Sequence, residues 1–168
     1  MRPSESTAGI RIERVVVGPE RVEASVRMGP QVPLRTSAVP GLVDIVVEAL
    51  PGIVRHRCEC GSARGVVAEL ADTEIPHLLE HVALEIMALS GSPRSLAGST
   101  SWDFSADGRG VFRVALEYDD DLVALAALTE AARIVQKLAD GDTRMRHVDA
   151  VIEKVRMIRS GGDPGEVS

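Results

Sequence analysis

At 168 residues and 45% hydrophobic content, the chain is long enough to bury a proper core. With one Trp, one Tyr and two Phe, that core must be aliphatic. A net charge of −6 excludes a protein whose main partner is nucleic acid, because phosphate binding needs a basic surface. No apolar run reaches membrane-spanning length and no secretory signal opens the chain. Cys58 and Cys60 are too few for a disulfide framework, so the expected location is cytoplasmic.

Residues 1–9 are polar and read as a frayed end. Residues 10–17 and 22–28 partly alternate apolar with polar positions around Gly18-Pro19-Glu20-Arg21, which predicts a β-hairpin. A helix is expected from Ser37, with Pro40 in its first turn, to a stop at Pro51. Residues 52–64 read as irregular, and Val66 to Leu70 as a strand or a helical turn.

The next stretch, Ile75 to Leu89, carries the most information. Its apolar residues Ile75, Leu78, Leu79, Val82, Ile86 and Leu89 share one helical face at about 100° per residue. Asp72 or Thr73 is the expected cap, and Gly91 the stop. On the opposite face lies His77-Leu78-Leu79-Glu80-His81, an H-x-x-E-H motif. Two His four residues apart stack on a helix and can reach one metal ion. A Glu just before the second His lies about one turn from the first, in position to take a proton from an activated water. This spacing predicts histidines facing away from the packed stripe. Leu84 interrupts their polar face, which implies cover by another element or a ligand.

Ser92 to Ser101 reads as a loop of small residues. Trp102-Asp103-Phe104 and Val111 to Tyr118 read as strands around Asp107-Gly108-Arg109-Gly110. Two helices follow, Asp121 to Ala139 and Thr143 to Arg159, the second capped by Asp142, and residues 161–168 form a polar tail expected to be disordered. The pattern predicts one α+β domain over residues 1–160, a two-layer sandwich of a mainly antiparallel sheet with helices on one side. The broad apolar stripes of the last two helices predict a homo-oligomer, most simply a dimer.

Zinc requires at least three protein ligands. Glu85 is nearest in sequence, but His77, His81 and Glu85 would stack along roughly 12 Å of helix axis. Glu117, which ends the apolar strand Val114 to Tyr118, is the preferred third ligand. Cys58-x-Cys60 with the two histidines is a rival structural site, although one residue between cysteines is fewer than usual. Asp119, Asp120 and Asp121 read as a solvated run that starts the next helix. Arg64, Arg94, Arg109 and Arg113 are the basic residues available to hold a substrate carboxylate, Arg109 and Arg113 being preferred.

Several blocks occur in a telling order: Ala38-Val39-Pro40-Gly41-Leu42-Val43, Leu50-Pro51-Gly52, His56-Arg57-Cys58, residues 76–86 around Glu80-His81-Val82-Ala83-Leu84-Glu85, and residues 110–118. Over roughly residues 38–140 the chain resembles the N-terminal domain of cyanophycin synthetases. The resemblance implies a domain that holds an aspartate–arginine polymer and, in some members, carries a metal-dependent peptidase-like site that trims it. Those synthetases continue into an ATP-grasp and a Mur-ligase-like domain. The chain lacks a Gly-rich phosphate loop, so polymer synthesis is not expected of it. The Gly-x-Thr-Arg element of the family reads Gly98-Ser99-Thr100-Ser101 here, without its Arg. The expected function is hydrolysis of a peptide or isopeptide bond with one Zn2+ per chain: His77, His81 and Glu117 as ligands, Glu80 as general base. The alternative is a non-catalytic peptide- or polymer-binding module.

Overall fold

The computed structural model describes residues 8–57 and 65–161. Four strands, β1 (Arg11–Val17), β2 (Arg21–Arg27), β3 (Gly98–Ser101) and β4 (Val111–Glu117), form one antiparallel sheet in the order β1-β2-β4-β3. Six helices accompany it: α1 (Leu42–Ala49), α2 (Val66–Leu70), α3 (Ile75–Leu89), α4 (Phe104–Asp107), α5 (Asp121–Ala139) and α6 (Val148–Arg159). The fold is α+β, with the expected hairpin closed by Gly18 N–H donating to Arg21 C=O at 2.9 Å. No helix among the described residues is long and apolar enough to cross a membrane.

The pleat of the sheet explains why the helices gather on one side. In β2, Val22, Ala24 and Val26 are buried, and in β4, Phe112, Val114 and Leu116; these alternate positions point to one face. The opposite face carries Arg21, Glu23, Arg27, Arg113 and Glu117, residues that stay partly in water. Helix α3 runs through the centre of the helical layer, against β3, β4, α5 and α6. Its Leu78, Leu79, Val82 and Ile86 are fully buried, each stabilising the fold by about 1.5–3 kcal/mol as an upper estimate.

Four local expectations change. The first helix begins at Leu42, not Ser37. Thr36–Ala38 makes a separate 3-10 turn, and Gly41 at φ 72° breaks continuity in a left-handed conformation that suits glycine. The third strand lies at Gly98–Ser101, inside the stretch of small residues, whereas Phe104–Asp107 is helical, its N-terminus capped by Asp103. Pairing with β4 overrides the weak strand preference of Gly98-Ser99-Thr100-Ser101. Helix α3 is entered through Glu74, because Asp72 is taken by Arg35 (2.8 Å) and Ser37 (2.7 Å), while Thr73 N–H donates to Thr36 Oγ1 (3.0 Å). Finally, α6 starts at Val148; Asp142 instead accepts from Arg144 N–H at 3.0 Å in the preceding turn. Cys58, Cys60, Arg64, residues 1–7 and residues 162–168 lie outside the described residues.

Candidate metal centre

The polar face of α3 is not a solvent face. His81 is 1% exposed, Glu80 4% and Glu85 0%, so the face opposite the apolar stripe is itself covered, in line with the cover that Leu84 implied. Two elements cover them. The 3-10 turn Pro51–Arg55 brings His56 and Gly52 over the C-terminal part of the face, and β3 lies over Glu80. Close approach is possible because glycines stand at the contacts. A Cβ on Gly52 would fall 2.0 Å from Glu85 Oε1, and one on Gly98 2.8 Å from Glu80 Oε1. Leu84, the apolar interruption, lines a cleft beside this cover.

His77, Glu80 and His81 each present a ligand atom within 4.8 Å of the others. Nε2 of His77 and Nε2 of His81 are 3.1 Å apart. Two nitrogens held by one tetrahedral zinc at about 2.0–2.1 Å are roughly 3.3 Å apart, so the pair has the span of adjacent ligands. The surrounding hydrogen bonds also select tautomers. Glu85 can only accept, so His56 Nε2, 2.7 Å away, carries the proton and donates. His56 Nδ1 lies 2.9 Å from His81 Nδ1, a pair in which one ring donates and the other accepts. At the other end, His77 Nδ1 lies 3.0 Å from Thr73 Oγ1, which itself donates to Glu74 at 3.2 Å. The two Nε2 atoms thus face each other, with the Nδ1 of His77 held by Thr73 and the Nδ1 of His81 by His56.

Electrostatics agree with neutral imidazoles. The His81 pKa is pushed down to about 3, first by burial and then by the neighbouring His77 and His56. Burial also lowers His77, against the opposing pull of Glu69 and Glu74. Burial alone would raise the Glu85 carboxyl, but hydrogen bonds from His56 and Arg94 outweigh it and hold it below its ordinary value. Arg94 grips both Glu85 oxygens, at 3.0 and 3.1 Å. Glu80 Oε2 accepts from Thr100 Oγ1 at 2.5 Å.

Of the expected site residues, the structure brings together His77, Glu80 and His81, and not Glu117. Thr100 and Gly98 meet Glu80 and are paired across the sheet with Val114 and Leu116, which face the helices. Glu117, one residue further, falls on the other face and accepts from Ala97 N–H at 2.9 Å. Glu85 is also engaged elsewhere, as the anchor of His56. Arg113 is paired with Asp107 at 2.7 Å, and neither Arg113 nor Arg109 lines a cleft at the cluster. Arg94 does. The sequence reading missed His56, Gly98 and Thr100. A signal existed for the first: three of the four histidines in the chain converge here.

Two clefts flank the cluster and share Gly98. One, about 540 Å³, is walled by Arg55, Arg57 and Arg94 over Leu84 and Met87. The other, about 410 Å³, opens onto His77 and Glu80 and carries Glu69, Glu74 and Trp102. Among the described residues, the first is lined by no carboxylate and the second by no Lys or Arg.

Residues 24–140 match the model of the cyanophycin synthase-like N-terminal domain. The chain is 28% identical over 72% of its length to a cyanophycin synthetase of Synechocystis sp.. It is 31% identical over 64% to one of Crocosphaera subtropica, and 30% identical over 71% to one of Trichormus variabilis. The matched region spans only 12–14% of those relatives. The match begins within β2 and takes in helix α3, strands β3 and β4 and helix α5; the chain belongs to the cyanophycin synthase-like N-terminal domain family.

Proposed function

We propose that this domain is a metal-dependent hydrolase of peptide or isopeptide bonds. The observation that carries the reading is the 3.1 Å separation of His77 and His81 Nε2, with a Glu80 carboxylate oxygen within 4.8 Å of both rings' ligand atoms. His77 and His81 would supply two of the at least three protein ligands that Zn2+ needs, and among the described residues Glu80 alone stands close enough to be a third. When bound, zinc activates a coordinated water near neutral pH and polarises the scissile carbonyl.

The residues of the chain do the remaining work. Glu80, one turn from His77, accepts the proton of the attacking water and passes it to the leaving amine. Thr100 fixes one carboxylate oxygen at 2.5 Å and leaves the other, Oε1, beneath Gly98. Burial of Glu80 by β3 keeps bulk water away and strengthens its interaction with charge developing at the carbonyl. Aspartate–arginine dipeptides and short polymer fragments are the first substrates to test, a choice that rests on the family and on what its curated members are called.

A second reading is a non-catalytic module that binds such a polymer. The hydrogen bond from Thr100 favours it, since it ties up half of the proposed base. Glu80→Gln separates the two. For a hydrolase, zinc content stays at one per chain while turnover falls by roughly 10²–10⁴-fold, because an amide cannot take the proton. Absence of zinc from wild-type protein supplied with it, or an unchanged rate in the variant, removes the hydrolase.

A further inference from the structure

Strand β3 is an edge of the sheet and pairs with β4 alone. Glu117 N–H donates to Ala97 C=O at 2.9 Å, so Ala97 and Glu117 form a hydrogen-bonded pair of the antiparallel ladder. Such pairs recur at every second residue. Ser99 and Ser101 therefore turn their backbone groups towards β4, and Gly98 and Thr100 turn theirs outwards. Among the described residues no strand occupies that outer edge. The same two residues meet Glu80: Thr100 through its hydroxyl, Gly98 by close packing.

Charge differs between the two ends of this strand. The arginine cleft lies at the Gly98 end, lined by Pro93 to Gly98 together with Arg55, Arg57 and Arg94. The acidic cleft lies at the other end, where Gly98, Ser99, Thr100 and Trp102 line it with Glu69 and Glu74. Arg94 is partly offset by Glu85, and Glu74 by Arg35 at 3.0 Å. Arg55 and Arg57 have no ion-pair partner among the described residues. Trp102 is 48% exposed, and its ring offers a face for a guanidinium or ammonium group.

We propose that a peptide adds to the outer edge of β3 as an antiparallel strand, with a fixed polarity. Its N-terminal, cationic part lies in the acidic cleft against the ring of Trp102. Its C-terminal, anionic part lies in the cleft of Arg55 and Arg57. Antiparallel addition is the direction in which a free peptide's own ammonium and carboxylate also meet opposite charges. Gly98 and Thr100 supply the ladder hydrogen bonds, and the crossing point of the peptide falls beside Glu80. The inference rests on the peptide reading above and adds a direction to it.

The test needs no turnover. Full-length Glu80→Gln protein is titrated with acetyl-Arg-Arg-Ala-Ala-Asp-Asp-amide and with its reverse, acetyl-Asp-Asp-Ala-Ala-Arg-Arg-amide. Fluorescence of Trp102, the single tryptophan, reports occupancy. The first peptide is expected to bind about tenfold more tightly, because the reverse order sets like charges together. Amide hydrogen exchange at Gly98 and Thr100 is expected to slow on binding, and Arg55→Glu/Arg57→Glu to abolish the preference. Equal affinities, no binding of either peptide, a preference that survives the double substitution, or unprotected Gly98 and Thr100 amides would each overturn it. A directional binder that never hydrolyses peptide with any metal loses the hydrolase reading alone.

Discussion

Gly98 packs directly on Glu80: a Cβ at position 98 would sit 2.8 Å from both Cγ and Oε1 of the glutamate. Gly98→Ala therefore cannot be accommodated without moving the carboxylate or the strand. We expect turnover to fall by about 10²-fold, the cost of a misplacement of order 1 Å. Zinc content should hold, since His77 and His81 are anchored through Thr73 and His56 rather than through β3. Loss of metal in Gly98→Ala would show that β3 supports the histidines instead.

Glu85 stands two imidazoles, His56 and His81, away from the proposed metal position. In Glu85→Gln the amide can turn its NH2 to His56, which reverses the donor order along the chain and puts a proton on His81 Nε2. Zinc affinity should fall by about 10–100-fold, the usual effect of a lost outer partner. Arg94→Ala serves as the control, because it removes the ion pair and leaves the acceptor for His56. Equal zinc affinity in all three proteins, measured by competition with a chelating dye, would rule out a tautomer role for Glu85.

Acid should loosen the docking of α6. Asp119 accepts from Arg159 at 2.8 Å and from Ser92 at 2.7 Å, joining the end of β4 to α6 and to the loop after α3. The Arg159 hydrogen bond leads the causes that hold its carboxyl below the ordinary 3.8, and burial opposes it. A folded-state value below the unfolded one adds stability above about pH 3.8, which disappears as pH falls through the folded value. Asp119→Asn should thus cost about 1 kcal/mol at pH 7, a charge-assisted bond discounted for partial exposure, and progressively less as pH falls below 3.8. Denaturant titrations at pH 7 and at steps below 3.8 check this.

Self-association is expected through the β1 side. The stripes of α5 and α6 are mostly buried, so they are not themselves the exposed patch. What remains open is a groove of Ile10, Ile12, Val15, Leu125, Leu128 and Ala132 beside edge strand β1, with Val16 and Val17 nearly half exposed. A dimer is the simplest cover for such an edge. Light scattering at tens of micromolar should give twice the 17.9 kDa chain mass, and Val15→Lys, within the groove, should return it to the monomer. A monomeric mass for the wild type would exclude this interface.

Much of the molecule was legible in one dimension. Period-two alternation placed β2 and β4, and period 3.6 placed α3 and α5 to the residue, because each buries one face against a single layer and the pattern records it. The local spacing of His77, Glu80 and His81 sufficed to bring their ligand atoms together, since helical geometry alone sets those separations. Composition fixed the aliphatic core, and the order of short blocks fixed the family.

The rest depended on long-range packing. Nothing local marks Gly98 to Ser101 as a strand; β4 makes it one by offering an edge. Glu117 follows an apolar strand as expected, but its face was decided by sheet parity, which turned it away from the histidines. His56 lies 25 residues before His81 and became its partner only when the turn at Gly52 folded against Glu85. Leu84 implied a cover without naming it, and periodicity turned the polar face of α3 away from its packed stripe. Tertiary structure buried it, because glycines at positions 52 and 98 admit two further elements and Glu85, Arg94, Thr73 and Thr100 satisfy the polar groups thus enclosed.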